Sequence, residues 1–141
     1  MNIKQMKDIR RCIDYLESRE DIDIEKLAYC GFSWGAHMGS FPCSAEERIK
    51  AGIFISGCLF NREIFGWAHR VKVPILMING RYDSTFPLEE SQRPLFNALG
   101  TPPEHKVHEI YSTDHAITGY VNEMIKVNLE WLDRYLGPVN R

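Results

Sequence analysis

Leu27-Ala28-Tyr29-Cys30-Gly31-Phe32-Ser33-Trp34-Gly35 is the stretch on which the rest of the chain turns. Its first four residues form a short apolar run that stops at glycine, which reads as a buried strand bounded by a turn. Gly35 to Phe41 then begins a helix, and Pro42 must end or kink it because proline has no N–H to give. Strand, turn and helix in immediate succession stand Ser33 at the C-terminal end of the strand with a helix N-terminus behind it. Glycine at 31 and 35 removes two Cβ atoms that would collide where strand and helix approach each other.

The pattern repeats outward. Upstream, Met6, Ile9, Ile13 and Leu16 recur at gaps of three and four, one stripe of a helix that stops near Ser18–Glu20. Asp21 to Lys26 reads as a turn. Downstream, Ala51 to Ser56 is a second apolar run, and residues 61–69 have room for a short helix. Val73 to Ile78, ending at Asn79-Gly80, is the strongest run. Leu88 to Leu99 is helical and closed by Gly100, Lys106 to Tyr111 is the fourth strand, and Val121 to Leu136 is an amphipathic helix closed by Gly137-Pro138. Apolar strands alternating with helices predict an α/β fold with a short, mostly parallel sheet of about four strands and helices on both faces.

Composition agrees with one domain. The chain has 141 residues, 44% hydrophobic and 26% charged, a balance that argues against disorder, collagen and coiled coil. Seventeen basic against 19 acidic residues leave a net charge of −2. Lys4, Lys7, Arg10 and Arg11 interleave with apolar positions as the wet side of a helix, so a nucleic-acid partner is not expected. No apolar stretch approaches the ~20 residues of a membrane span, and the N-terminus has no signal-peptide core. The expectation is a soluble, cytoplasmic protein. Cys12, Cys30, Cys43 and Cys58 form no C-x-x-C pair, and no helical H-x-x-x-H occurs, so neither metal nor cofactor is expected. Cys30 and Cys58 lie in apolar runs and are expected as small buried hydrophobes.

The chemistry-bearing residues follow from the same scaffold. Gly31-Phe32-Ser33-Trp34-Gly35 fits G-x-S-x-G between a strand and a helix, the context of a nucleophile elbow. Asp83 follows the third strand and His115 the fourth, both at the sheet edge where open α/β sheets hold ligands. A serine is a weak nucleophile until a base takes its proton, histidine is such a base near neutral pH, and a carboxylate orients the imidazole. Taken singly, Asp83 also reads as a turn or helix-capping residue before Pro87, and His115 as a loop histidine. Asp114 competes for the acid role, although its side chain and that of adjacent His115 should diverge. His37, His69, His105 and His108 are poorer bases, because none follows a strand at this edge.

Tyr29 to Gly35, Val73 to Asp83 and Trp131 to Leu136 together resemble the C-terminal part of an α/β-hydrolase of the dienelactone hydrolase-like type. Pro87 to Gly100 is similar to hydrolase domains that close some large bacterial multidomain proteins. The resemblance implies Ser33 as nucleophile, Asp83 as acid and His115 as base. The chain departs from many relatives in having Ser112-Thr113-Asp114 rather than glycine before the histidine. It also begins at the helix before the nucleophile strand, so a truncated domain lacking the preceding strands is expected over 1–141.

That expectation has consequences. Trp34 N–H is one oxyanion donor, but the loop that normally gives the second lies before this chain. Loss of one donor typically costs 10²–10³ in rate. A serine esterase of small carboxylic esters, weak for this reason, is the first reading. A peptidase of the same fold shares the triad, and a catalytically poor interaction module is the rival from another class. The unpaired flank of the nucleophile strand points to a dimer or higher oligomer. With one short element between 57 and 72 the site should be open, walled by Phe32, Trp34, Tyr82 and Phe86.

Overall fold

The computed structural model describes residues 3–59 and 62–138. Four parallel strands lie side by side in chain order: β1 (Ala28–Phe32), β2 (Ala51–Ile55), β3 (Ile75–Gly80) and β4 (Lys106–Tyr111). β2 and β3 are buried along their whole length, which is why their sequences are apolar without alternation. Phe54, Ile75 and Met77 point to one face. There they meet Ile13 of α1 (Ile3–Glu17), Ala36 and Met38 of α2 (Trp34–Met38), Cys43 of α3 (Ser40–Ala45), Ala68 of α4 (Arg62–Ala68) and Leu95 of α5 (Arg93–Ala98). Ile53, Ile55, Leu76 and Ile78 point to the other face, against Ile117 and against Trp131 of α6 (Val121–Leu136). Helices thus cover both faces, and each fully buried aliphatic side chain contributes roughly 1.5–3 kcal/mol.

Arg48 ties α1 to the start of β2. Its guanidinium reaches Asp14 at 2.9 Å, Glu17 at 2.8 Å and Glu46 at 2.7 Å. The bond from Arg48 holds the Glu46 carboxyl below its ordinary pKa. Among the described residues no helix is long and apolar enough to cross a membrane.

Several boundaries differ from those the sequence suggested. The helix expected from Gly35 to Phe41 is two short helices, parted at Gly39. The helix does end before Pro42, as expected: α2 stops at Met38, whose carbonyl is the acceptor an amide at position 42 would use, and Pro42 then sits inside the first turn of α3, where amides have no intrahelical acceptor to lose. The helix expected over Leu88 to Leu99 opens with a π-helical turn, Leu88–Gln92, before α5. β1 continues to Phe32, held in register with Ile55. The helix expected over 61–69 is α4, position 61 lying outside the described residues.

Cys30 is exposed, contrary to the expectation of a buried hydrophobe, whereas Cys58 is buried. α6 packs on β2 and β3, and on the edge strand β1 Cys30 and Phe32 are exposed. Val121, Ile125 and Leu129 of α6 are about half exposed, at 50%, 48% and 56%.

Candidate active site

Ser33 joins β1 to α2 with φ 51° and ψ −110°, a conformation L-residues rarely adopt and one that costs about 1–3 kcal/mol. Bonds on both sides hold it: Ser33 N–H donates to Ile55 O at 2.8 Å, and His37 N–H donates to Ser33 O at 2.9 Å. Gly31 is required by close approach, since a Cβ there would lie 2.5 Å from the backbone carbon of Gly35 and 2.7 Å from Ala36 N. Gly35 is not. Its Cβ would meet only Tyr29 Oη, at 3.8 Å, which corrects the expectation that both flanking glycines relieve a collision.

His115 lies in the loop after β4, which folds back over the end of β3. A Cβ on Gly80 would stand 2.1 Å from Asp114 O, so that approach needs glycine. Tyr82 N–H donates to Thr113 O at 2.9 Å, and Ser56 Oγ donates to the His115 carbonyl at 2.6 Å. Held this way, the imidazole joins the other two groups. Ser33 Oγ is 2.8 Å from His115 Nε2, and His115 Nδ1 is 2.7 Å from Asp83 Oδ2. A carboxylate only accepts, so Nδ1 carries the hydrogen and Nε2 is left to accept from the serine hydroxyl.

Asp83 is 3% exposed, and donors surround it. The N–H groups of Thr85 and Phe86 donate to Oδ1, each at 2.8 Å, and the Gln92 amide reaches Oδ2 at 3.3 Å. Those bonds meet the cost of burying a carboxylate. Asp114 does not compete for the acid position. Its carboxylate accepts from Ala116 N, Thr118 N and Thr118 Oγ1, shaping the loop, and these bonds lower its pKa.

The other histidines have other partners. His37 Nδ1 faces Cys58 O at 3.1 Å, and burial lowers its pKa. His108 Nε2 faces Asn79 Oδ1 at 2.9 Å, with its pKa pushed down to about 4 by burial. His105 contacts Tyr135 Oη, and His69 contacts Phe65 O. Among the described residues no group of three or more His, Cys, Asp or Glu side chains is arranged to hold a metal ion.

Of the expected walls, Phe32 and Phe86 flank the imidazole, with ring centroids 5.5 and 5.4 Å from that of His115. Trp34 turns instead to His37, at 5.1 Å, and is 61% exposed; Tyr82 is 67% exposed. Trp34 N–H opens α2, where a helix's first amides lack intrahelical acceptors. Gln92 and Ser56 escaped the sequence reading. Gln92 carried a signal, a polar residue on the apolar stripe Leu88, Leu95 and Leu99; Ser56 carried none.

A family model described as PETase, PET hydrolase-like, matches residues 9–141. Cutinase 2 of Thermobifida cellulosilytica is 28% identical over 124 residues, 87% of this chain and 46% of the cutinase. This chain thus spans about half the length of that cutinase, or less for the one from Thermobifida fusca, of which the match covers 38%. Among solved structures, a cold-adapted esterase from an Arctic intertidal metagenomic library superposes with a TM-score of 0.77 at 23% identity, over 93% of this chain and 57% of that one. A Klebsiella pneumoniae protein described as a dienelactone hydrolase gives a TM-score of 0.77 at 19% identity, over 92% of this chain and 60% of that one. At these identities the superpositions speak to fold, and the α/β-hydrolase fold is shared. With 9–141 matched, the chain belongs to the PET hydrolase-like family of α/β-hydrolases.

Proposed function

We propose that this domain is a serine hydrolase of small carboxylic esters, with Ser33 as nucleophile, His115 as general base and Asp83 as the carboxylate that orients it. The observation that carries the reading is the unbroken relay from Ser33 Oγ through both His115 nitrogens to Asp83, 2.8 and 2.7 Å long, built on a strained serine. Membership of a cutinase- and esterase-like family supports it.

Ser33 Oγ attacks the ester carbonyl as its proton passes to His115 Nε2. The imidazolium is stabilised by Asp83, and the carbonyl oxygen, now negative, accepts from Trp34 N–H. His115 then returns the proton to the departing alcohol, leaving an acyl-serine. Water repeats the sequence and frees the acid. Phe32 and Phe86 border the imidazole, with Tyr82 and Trp34 further out, which suits small or flexible esters.

The test is labelling by a fluorophosphonate together with p-nitrophenyl acetate turnover, each compared with Ser33→Ala. β1 is an edge strand, and this supports self-association as a second property. Sedimentation should then give more than one copy per particle, and a clean monomer would exclude it.

A further inference from the structure

We propose that Gln92 is a positioning residue for the relay, its side-chain amide fixing the Asp83 carboxylate in the orientation that holds His115. The proposal rests on the catalytic reading of Ser33, His115 and Asp83. Gln92 is fully buried, at 0% exposure, on the face of its helix that also buries Leu88, Leu95 and Leu99. An amide at such a place is costly unless its hydrogen bonds are made. Its Nε2 faces three oxygens: Phe86 O at 2.6 Å, Gly80 O at 3.3 Å and Asp83 Oδ2 at 3.3 Å. Reversing the amide would set Oε1 against the same three acceptors, so its orientation is fixed. Oε1 itself is buried with no hydrogen-bond partner among the described residues. The amide is therefore useful here for what its nitrogen does.

The π-helical turn makes this possible. Gln92 N–H donates to Pro87 O at 3.4 Å and Arg93 N–H to Leu88 O, each five residues back. The wide turn carries Gln92 beneath the end of β3, and such insertions recur at functional sites. Gln92 thereby joins both ends of the loop from Gly80 to Phe86 and occupies the second acceptor site of Asp83 Oδ2, beside the His115 hydrogen. Without it, Oδ2 is held by His115 alone. The titratable groups facing Gln92 are Asp83 and, through it, His115; the Cys58 thiol also feels the Asp83 charge.

Gln92→Met, read in two ways, tests this, with active sites counted by fluorophosphonate. It keeps the length and removes the donors; kcat per labelled site should fall roughly tenfold, with KM within about twofold of the parent. The low-field proton NMR signal of His115 Nδ1–H, which the Asp83 carboxylate holds, should move or broaden in the same variant. A Gln92→Met protein that melts lower yet keeps kcat within about twofold, with that signal unmoved, overturns the proposal and leaves Gln92 a packing residue. The NMR signal does not depend on turnover. If Ser33→Ala retains esterase activity, the catalytic reading fails, and the signal still decides whether Gln92 acts on the Asp83–His115 pair.

Discussion

The two glycines of the elbow should respond oppositely to the same substitution. In Gly31→Ala the new methyl would sit 2.5 Å from Gly35 C, 2.6 Å from Gly35 O and 2.7 Å from Ala36 N, all backbone atoms that cannot swing aside. Overpacking of this kind costs about 1–3 kcal/mol, while alanine regains about 0.5–1 kcal/mol over glycine in a strand. The net loss is up to about 2.5 kcal/mol, or up to roughly 9 °C in Tm for a domain of this size. Relief requires β1 and α2 to part at Ser33, and a displacement near 1 Å at a reacting group is worth about 10² in rate. In Gly35→Ala the methyl meets only Tyr29 Oη at 3.8 Å, and alanine in a helix should stabilise by about 0.5–1 kcal/mol. Thermal melts of the two variants, with fluorophosphonate labelling rates for Gly31→Ala, make the comparison. Equal destabilisation, or a labelling rate for Gly31→Ala equal to the parent's, would refute the reasoning that only Gly31 is demanded by backbone contact.

Asp83→Asn should lower esterase turnover by about 10⁴, the loss expected when the base is locked in the wrong tautomer. An asparagine NH₂ cannot face both the Gln92 amide and His115 Nδ1–H, so the imidazole must turn its other tautomer to Ser33; kcat measured with an unchanged melting profile checks this. His108 gives a pH dependence of stability. The fold holds its pKa near 4, below the ordinary ~6.5, so the unfolded chain takes up a proton that the folded chain refuses. Its contribution is complete above roughly pH 6.5 and is lost as pH falls toward 4, with a slope of up to about 1.4 kcal/mol per unit. Urea midpoints across that window should fall with pH in the parent and flatten in His108→Gln.

Much of this was legible in the sequence because burial leaves periodic marks. β4 and α6 begin and end where the apolar pattern does, at Lys106 and Tyr111 and at Val121 and Leu136. Ser33, Asp83 and His115 were legible because each comes within four residues of a strand's C-terminal end, and strand ends in a parallel sheet share one edge. What escaped depends on tertiary contact. Pro42 marked a helix break but not its place: α2 ends at Met38, four residues before the proline, and a new helix starts at Ser40. Cys30 looked buried by its neighbours in sequence, but its strand lies at the edge of the sheet and its side chain is exposed. Gln92 broke the apolar stripe of its helix, and only the π-helical turn explains why it points at Asp83. Gly35 fitted the motif, yet the space around it shows that the motif's second glycine meets no steric demand here.

The most direct measurement of the central claim is the stoichiometry of fluorophosphonate labelling on the folded chain, with Ser33→Ala beside it. A relay with His115 Nε2 2.8 Å from Ser33 Oγ predicts covalent label on Ser33 and none on the folded Ser33→Ala protein. A folded parent that takes no label, or a Ser33→Ala protein that labels as well as the parent, would contradict it.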